Sequence, residues 1–258
     1  MTTADPDWNQ VDTVLVDLDG TLLDLGFDDR FWRGRIPRAY AAHHGIGPDE
    51  AWHRLAGLFE TTRGTLDWYC IDYWSRTLDL DIAALKRAAR HEVAWLPGAR
   101  EFLGRVRATG RRLVLVTNAH PEALAIKDSH AGVIRWLDRA ISSHEFGAPK
   151  EHDVFWTALA SREGIEPART VFLDDSPEVL RAALRFGIGH VIGMREPVAG
   201  APPRSLDGFS AVAGVRDLIA GLDLAGRERK GGSVSGPARP DGPADPLCDQ
   251  VVLGGVGG

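Results

Sequence analysis

Five short apolar runs constrain this chain more than any other feature: Thr13–Asp17 (TVLVD), Arg112–Asn118 (RLVLVTN), Arg139–Ser143 (RAISS), Thr170–Asp175 (TVFLDD) and His190–Met194 (HVIGM). Each has the continuous, β-branched character of a strand buried on both faces. Helix signals fill the intervals. Residues 97–110 (PGAREFLGRVRATG) set Phe102, Leu103 and Val106 on one stripe, with Pro97 as the start and Gly110 as the stop. In SPEVLRAALRFG, Ser176 is the expected N-cap, Pro177 the first helical residue and Gly187 the C-cap, with Leu180, Ala183 and Leu184 turned inward. Strands that alternate with helices predict an α/β fold built on one parallel sheet.

One interval breaks the rhythm. Residues 25–96 hold no convincing strand, and their breaks at His44–Pro48, Arg63–Gly64 and Asp79–Asp81 divide them into about four helices. Inserted after the first strand, such a segment sits above the carboxyl ends of the strands, where open α/β sheets bind ligands. The expected organisation is a core of residues 11–24 and 97–225, a helical cap of residues 25–96, and a disordered Gly- and Pro-rich tail of residues 226–258. A net charge of −6 offers no general basic footprint for nucleic acid. No apolar run approaches the ~18 residues of a bilayer span, and MTTADPDWNQ lacks the features of a secretion signal. The two cysteines, Cys70 and Cys248, form no disulfide framework, so a reducing cytoplasm is the expected compartment.

The chemistry concentrates at the strand ends. The first strand runs straight into Asp17 and Asp19, and the fourth into Asp174 and Asp175. Parallel strands bring these four carboxylates to one edge of the sheet, where they cannot stay ionised and unpaired. A hard divalent cation with oxygen ligands, Mg²⁺ in first place, resolves the repulsion. Four carboxylates and one such ion still leave an excess of negative charge. Lys150, in GAPKEHD, adds a positive charge, while Thr117 and Asn118 end the second strand with a hydroxyl and an amide. Together these groups can hold a phosphate.

The order D-x-D-G-T, then T-N, P-K and D-D resembles the haloacid dehalogenase-like phosphohydrolases over roughly residues 11–222. A calcium loop is excluded, because Thr21 stands where its third ligand should be. The resemblance implies a Rossmann-like core with an α-helical cap. It implies Asp17 as nucleophile, forming an aspartyl-phosphate, and Asp19 as general acid and then general base. Repulsion from Asp17 should raise the proton affinity of Asp19. Thr117, Asn118 and Lys150 would bind the phosphoryl oxygens, and Asp17, Asp174, Asp175 and the carbonyl of Asp19 would hold Mg²⁺. A dehalogenase needs neither the second acid nor the metal, so phosphate chemistry is favoured.

DLDGTLLDLGFDDRFW, LDWYCIDYWS, LVTNAHPEALAIK and FGAPKEHDVFW also resemble the bacterial GMP/IMP 5′-nucleotidases of that superfamily. This likeness runs through the cap and implies a purine nucleoside monophosphate as substrate. GMP and IMP share an N1–H donor where AMP has an acceptor. A cap carboxylate that takes this proton, from among Asp28, Asp29, Asp67 and Asp72, would discriminate between them. Trp68 and Tyr69 are candidates to stack on the base, although most cap rings are expected to form the cap's own core. Other small phosphate monoesters such as sugar phosphates or phosphoglycolate, a phosphomutase reaction, and a non-catalytic ligand-binding module are the alternatives. Asp24, Asp28 and Asp29 also fit as turn or cap residues. Cys70 reads as packed within an aromatic helix, and the histidines show no metal-ligand spacing, with His120 notable only for its nearness to Thr117.

Overall fold

The computed structural model describes residues 6–224, so the expected tail of residues 226–258 and Cys248 lie outside the described part. Six parallel strands, β1 (Thr13–Val16), β2 (Arg112–Thr117), β3 (Arg139–Ser142), β4 (Thr170–Asp174), β5 (His190–Met194) and β6 (Ser210–Val212), form one sheet in the order β3-β2-β1-β4-β5-β6. The five apolar runs are β1 to β5. β6 has only three residues and lies half-exposed at the edge, so it lacks the apolar run that marked the others.

Alternation along the strands makes two apolar layers. Val14 and Val16 pack with Phe102, Leu103 and Val106 of α7 (Ala99–Ala108). Leu15, Val114, Val116 and Phe172 pack on the opposite face with Phe155 and Leu159 of α9 (Asp153–Glu163) and with Val179, Leu180 and Ala183 of α10 (Pro177–Phe186). Burial on both faces is what the continuous apolar runs require. Two helix readings change. α7 begins at Ala99 rather than at Pro97, and Leu184 of α10 is half-exposed, its inward place taken by Ala182. Ser176 does occupy the N-cap, but its backbone N–H donates to Asp174 and its side chain makes no capping bond.

Between β1 and β2 the chain is helical: α1 (Gly26–Arg30), a π-helical turn (Phe31–Arg35), α2 (Ile36–His44), α3 (Pro48–Thr62), α4 (Leu66–Tyr69), α5 (Ile71–Leu78) and α6 (Ile82–Ala89). The expected four helices are therefore six. The π-helical turn divides the first of them into α1 and α2, and a further break falls at Cys70, whose extended backbone (φ −87°, ψ 108°) separates α4 from α5. Phe27, Phe31, Ile71 and Trp74 of this segment share one buried cluster with Val14 and Val16 of β1. α8 (Pro121–Ala131) follows β2 and packs against α6.

Candidate active site

Sheet register assembles the site. Val16 pairs with Leu173, so the residues that follow, Asp17 and Asp174, emerge side by side, and the Asp17 N–H donates to the Leu173 carbonyl at 2.9 Å. The chain then turns back on itself, with Leu22 and Leu23 both donating to the Leu18 carbonyl. Gly20 sits in this turn at φ +87°, and a Cβ there would lie 2.6 Å from the carboxyl carbon of Asp175. Only glycine combines that backbone angle with that closeness.

Lys150 joins the carboxylates. The residue is only 2% exposed; Nζ donates to Asp17, to Asp174 at 2.7 Å and to the Val116 carbonyl at 3.2 Å. Asn118 places it there: the Asn118 carbonyl oxygen accepts from Lys150 N–H at 2.9 Å, and its amide donates to Glu151 at 2.9 Å. Both ends of the Asn118 side chain are thus committed to the loop, which changes its expected role as a direct phosphate ligand. Thr117 is buried, and its hydroxyl accepts from Ala119 N–H at 3.0 Å.

Burial raises the Asp17 carboxyl from its ordinary 3.8 to about 7, against the pull of Lys150. Burial likewise pushes up Asp174, and pushes Asp175 well up with help from Asp174 and Asp17. Burial works against the Lys150 ammonium, but Asp17 and Asp174 outweigh it and hold the lysine charged. Three crowded carboxylates thus face one lysine and the Arg204 guanidinium, which reaches Asp175 at 3.3 Å. The excess negative charge and the all-oxygen donors suit a hard divalent cation.

A second charged cluster adjoins the first, and the sequence reading missed it. Lys127 of α8 donates to Asp19 at 2.6 Å and also to Asp28 of α1, while Lys86 of α6 donates to Asp28 at 2.6 Å. Lys86 Nζ also lies 4.4 Å from the centre of the Phe31 ring and 5.0 Å from that of Phe27. Burial would raise Asp28, but Lys127 and Lys86 hold its carboxyl well below the usual range. Asp28 is therefore neither a simple cap residue nor a spare acceptor. Asp19 is raised chiefly by burial, against Lys127, with the like charge of Asp28 adding to it.

Both clusters open into a cavity of about 800 Å³. Its walls include Trp32, Trp52, Phe59, Trp68, Tyr69 and Trp74, with Asp29, Arg33, Glu60 and Arg63 among them. Tyr69 is tied down, its hydroxyl donating to Glu151 at 2.5 Å. Trp68 packs edge-on against Phe59 and Trp74. Neither Asp67 nor Asp72 lines the cavity; Asp72 is half-exposed and lies 3.6 Å from His120 instead. Trp52, 45% exposed at the wall, went unnoticed because one ring on a surface helix carries no motif.

Sheet order and strand-end carboxylates together define a Rossmann-like α/β protein whose site lies where the strand order reverses, between β1 and β4. A family model for haloacid dehalogenase-like hydrolases matches residues 11–187, and the chain belongs to that family. It is 40% identical over 215 residues to the GMP/IMP nucleotidase YrfG of Escherichia coli (strain K12), covering 83% of this chain and 97% of that protein. Such likeness over nearly the whole relative makes the chain an enzyme of the phosphoric monoester hydrolase class. A flavin mononucleotide hydrolase of Arabidopsis thaliana is 26% identical over 111 residues, 43% of this chain and 45% of that one. Among solved structures, a HAD phosphatase from Thermococcus onnurineus superposes with a TM-score of 0.69 at 22% identity, covering 81% of this chain and 97% of its own. An L-2-haloacid dehalogenase from Xanthobacter autotrophicus superposes at 0.54 with 19% identity, covering 81% and 97%. These two show the fold.

Proposed function

We propose that this enzyme hydrolyses purine nucleoside 5′-monophosphates, GMP and IMP, to nucleoside and phosphate in a Mg²⁺-dependent reaction through an aspartyl-phosphate on Asp17. The observation that carries the reading is the convergence of Asp17, Asp174 and Lys150 at the floor of a cavity with aromatic walls, large enough for a nucleotide. The nucleotidase relative, similar through the helical segment as well as the sheet, supports the choice of substrate.

Asp17 attacks phosphorus in line, forming one P–O bond as the bond to the ribose oxygen breaks. Asp19 donates its proton to that oxygen, then takes one from the water that attacks the phosphoryl-aspartate, releasing phosphate and restoring Asp17. Lys150 and Thr117 hold phosphoryl oxygens, and Asn118 fixes the Lys150 loop. Asp17, Asp174, Asp175 and the carbonyl of Asp19 would hold Mg²⁺, which when bound offsets the carboxylate charge and that of the transferring phosphoryl group. Residues 25–96 act as a cap that excludes water from the transfer. Trp52 and Trp68 offer faces for the purine. Asp29, at the cavity wall and free of the paired lysines that claim Asp28, is the acceptor for N1–H. The free thiol of Cys70 fits a reducing cytoplasm. Among the described residues no helix is long and apolar enough to cross a membrane.

A panel of GMP, IMP, AMP, phosphoglycolate and a sugar phosphate, with Mg²⁺ and with chelator, tests the reading. GMP and IMP should exceed AMP in kcat/KM by roughly 10² or more, with turnover lost in chelator. Equal rates across the panel would refute the purine assignment, and full activity in chelator would refute the metal.

A further inference from the structure

The structure brings three soft or borderline ligands together beside the phosphate-binding edge. Cys70, in the break between α4 and α5, meets His120 at the start of α8 and His144 just after β3; one ligand atom from each lies within 4.8 Å of the other two. They stand 50 and 24 residues apart, which is why no sequence spacing announced them.

The details are those of a ligand cluster rather than of random packing. Nε2 of His144 is buried with no partner, and a neutral ring protonated at Nδ1 presents there the lone pair a metal needs. His120 stands edge-on to His144 with ring centres 5.0 Å apart. Its Nδ1 accepts from Glu122 N–H at 3.3 Å and its Nε2 lies 3.6 Å from the Asp72 carboxylate; both contacts are long, and one of them yields when a metal takes that nitrogen's lone pair while the other goes on orienting the ring. The Cys70 sulfur is oriented by the Tyr73 N–H, which it accepts at 3.4 Å.

We propose that Cys70, His120 and His144 form a second, thiophilic metal site, for Zn²⁺ or an ion of similar softness, that ties the helical segment to the strand ends. Sulfur and imidazole ligands exclude Mg²⁺ and Ca²⁺ and select zinc-like ions. Ligands around a tetrahedral zinc are separated by roughly 3.3–3.7 Å, so the three atoms close in by about an ångström on binding, within reach of side-chain rotation. A fourth position is left for water. The ion is distinct in its ligands from the one at Asp17 and Asp174.

The test uses the full chain carrying Cys248→Ser, stripped of metal, with Mg²⁺ in excess to fill the carboxylate site. Added Co²⁺ should give the ultraviolet charge-transfer band of a cobalt–thiolate bond. Zn²⁺ should bind at one equivalent, abolish that band and raise Tm. Cys70→Ser should remove the band and weaken the Zn²⁺ equivalent at least tenfold; His144→Gln should weaken it similarly, with circular dichroism reporting the fold of each. No thiolate band in the parent, or Zn²⁺ affinity unchanged by Cys70→Ser, would overturn the site. Cys70→Ser alone decides if His144→Gln does not fold.

Discussion

Two buried clusters of lysine and aspartate lie side by side in this molecule and differ in their charge balance. At the strand ends, Lys150 faces Asp17 and Asp174 with Asp175 beside them, and all three carboxyls are pushed up. Beneath the helical segment, Lys86 and Lys127 face Asp28 and Asp19, two against two, and Asp28 is held down. The first cluster has an excess of charge that a further partner must offset; in the second the charges match within the cluster, although burial still raises Asp19, the member that also serves the site. Buried charges that are matched act as an anchor, and here they join α1, α6 and α8 to the turn after β1. Buried charges left unmatched are raised in energy and are ready to bind.

Substitutions can break this contrast. The largest effect is expected of Asp17→Asn, which should lower kcat/KM for GMP by at least about 10⁴-fold while leaving the urea midpoint unchanged or higher, because it removes a crowded charge. Lys86→Met should do the reverse. It leaves Asp28 with one partner and costs roughly 3 kcal/mol of stability by urea denaturation, with kcat near that of the parent. Asp28→Leu combined with Lys86→Met should recover most of that loss. A Lys86→Met chain as stable as the parent would show that the second cluster is no anchor. Gly20→Ala forces a side chain into the Asp175 carboxylate at a positive φ, and should cost about 1–2 kcal/mol and lower turnover.

Acid titration completes the contrast, with opposite signs for Asp17 and Asp28. Asp17 is raised from 3.8 to about 7, so the folded chain binds its proton more tightly than the unfolded one does. In chelator its contribution to stability therefore falls as pH rises from about 4 to 7, and Mg²⁺ should restore it. Asp28 is lowered, so its contribution is present above its ordinary value of 3.8 and is lost as pH falls below it. Comparing Tm across pH in the parent, Asp17→Asn and Asp28→Leu chains separates the two slopes. Identical slopes in all three would erase the distinction.

The same contrast explains what could be read in the sequence. Asp17, Asp19, Asp174 and Asp175 were legible because each pair ends an apolar strand and parallel strands end at one edge. Lys150 was legible from its place after β3 and a proline. The second cluster joins residues 19, 28, 86 and 127, which no local pattern connects. A faint signal did exist: Lys86 falls on the buried stripe of Ile82 and Ala89, and Lys127 on that of Ala123, Leu124 and Ala131. A lysine at an inward helical position needs a buried acid. Asn118 is drawn to the site by its place at a strand end and Asp72 by being a cap carboxylate, but a side chain's role follows its partners, and theirs are the Lys150 loop and His120. The Cys70 break was hidden because its flanking aromatics continue a helical spacing across it.

The account stands or falls on Asp17 carrying the phosphoryl group. Rapid acid quench of the full chain during turnover of radiolabelled GMP with Mg²⁺ should place the label, in a form released by hydroxylamine, on the peptide that contains Asp17. Turnover with the label on another residue, or with none on that peptide at any time in the course, would contradict it.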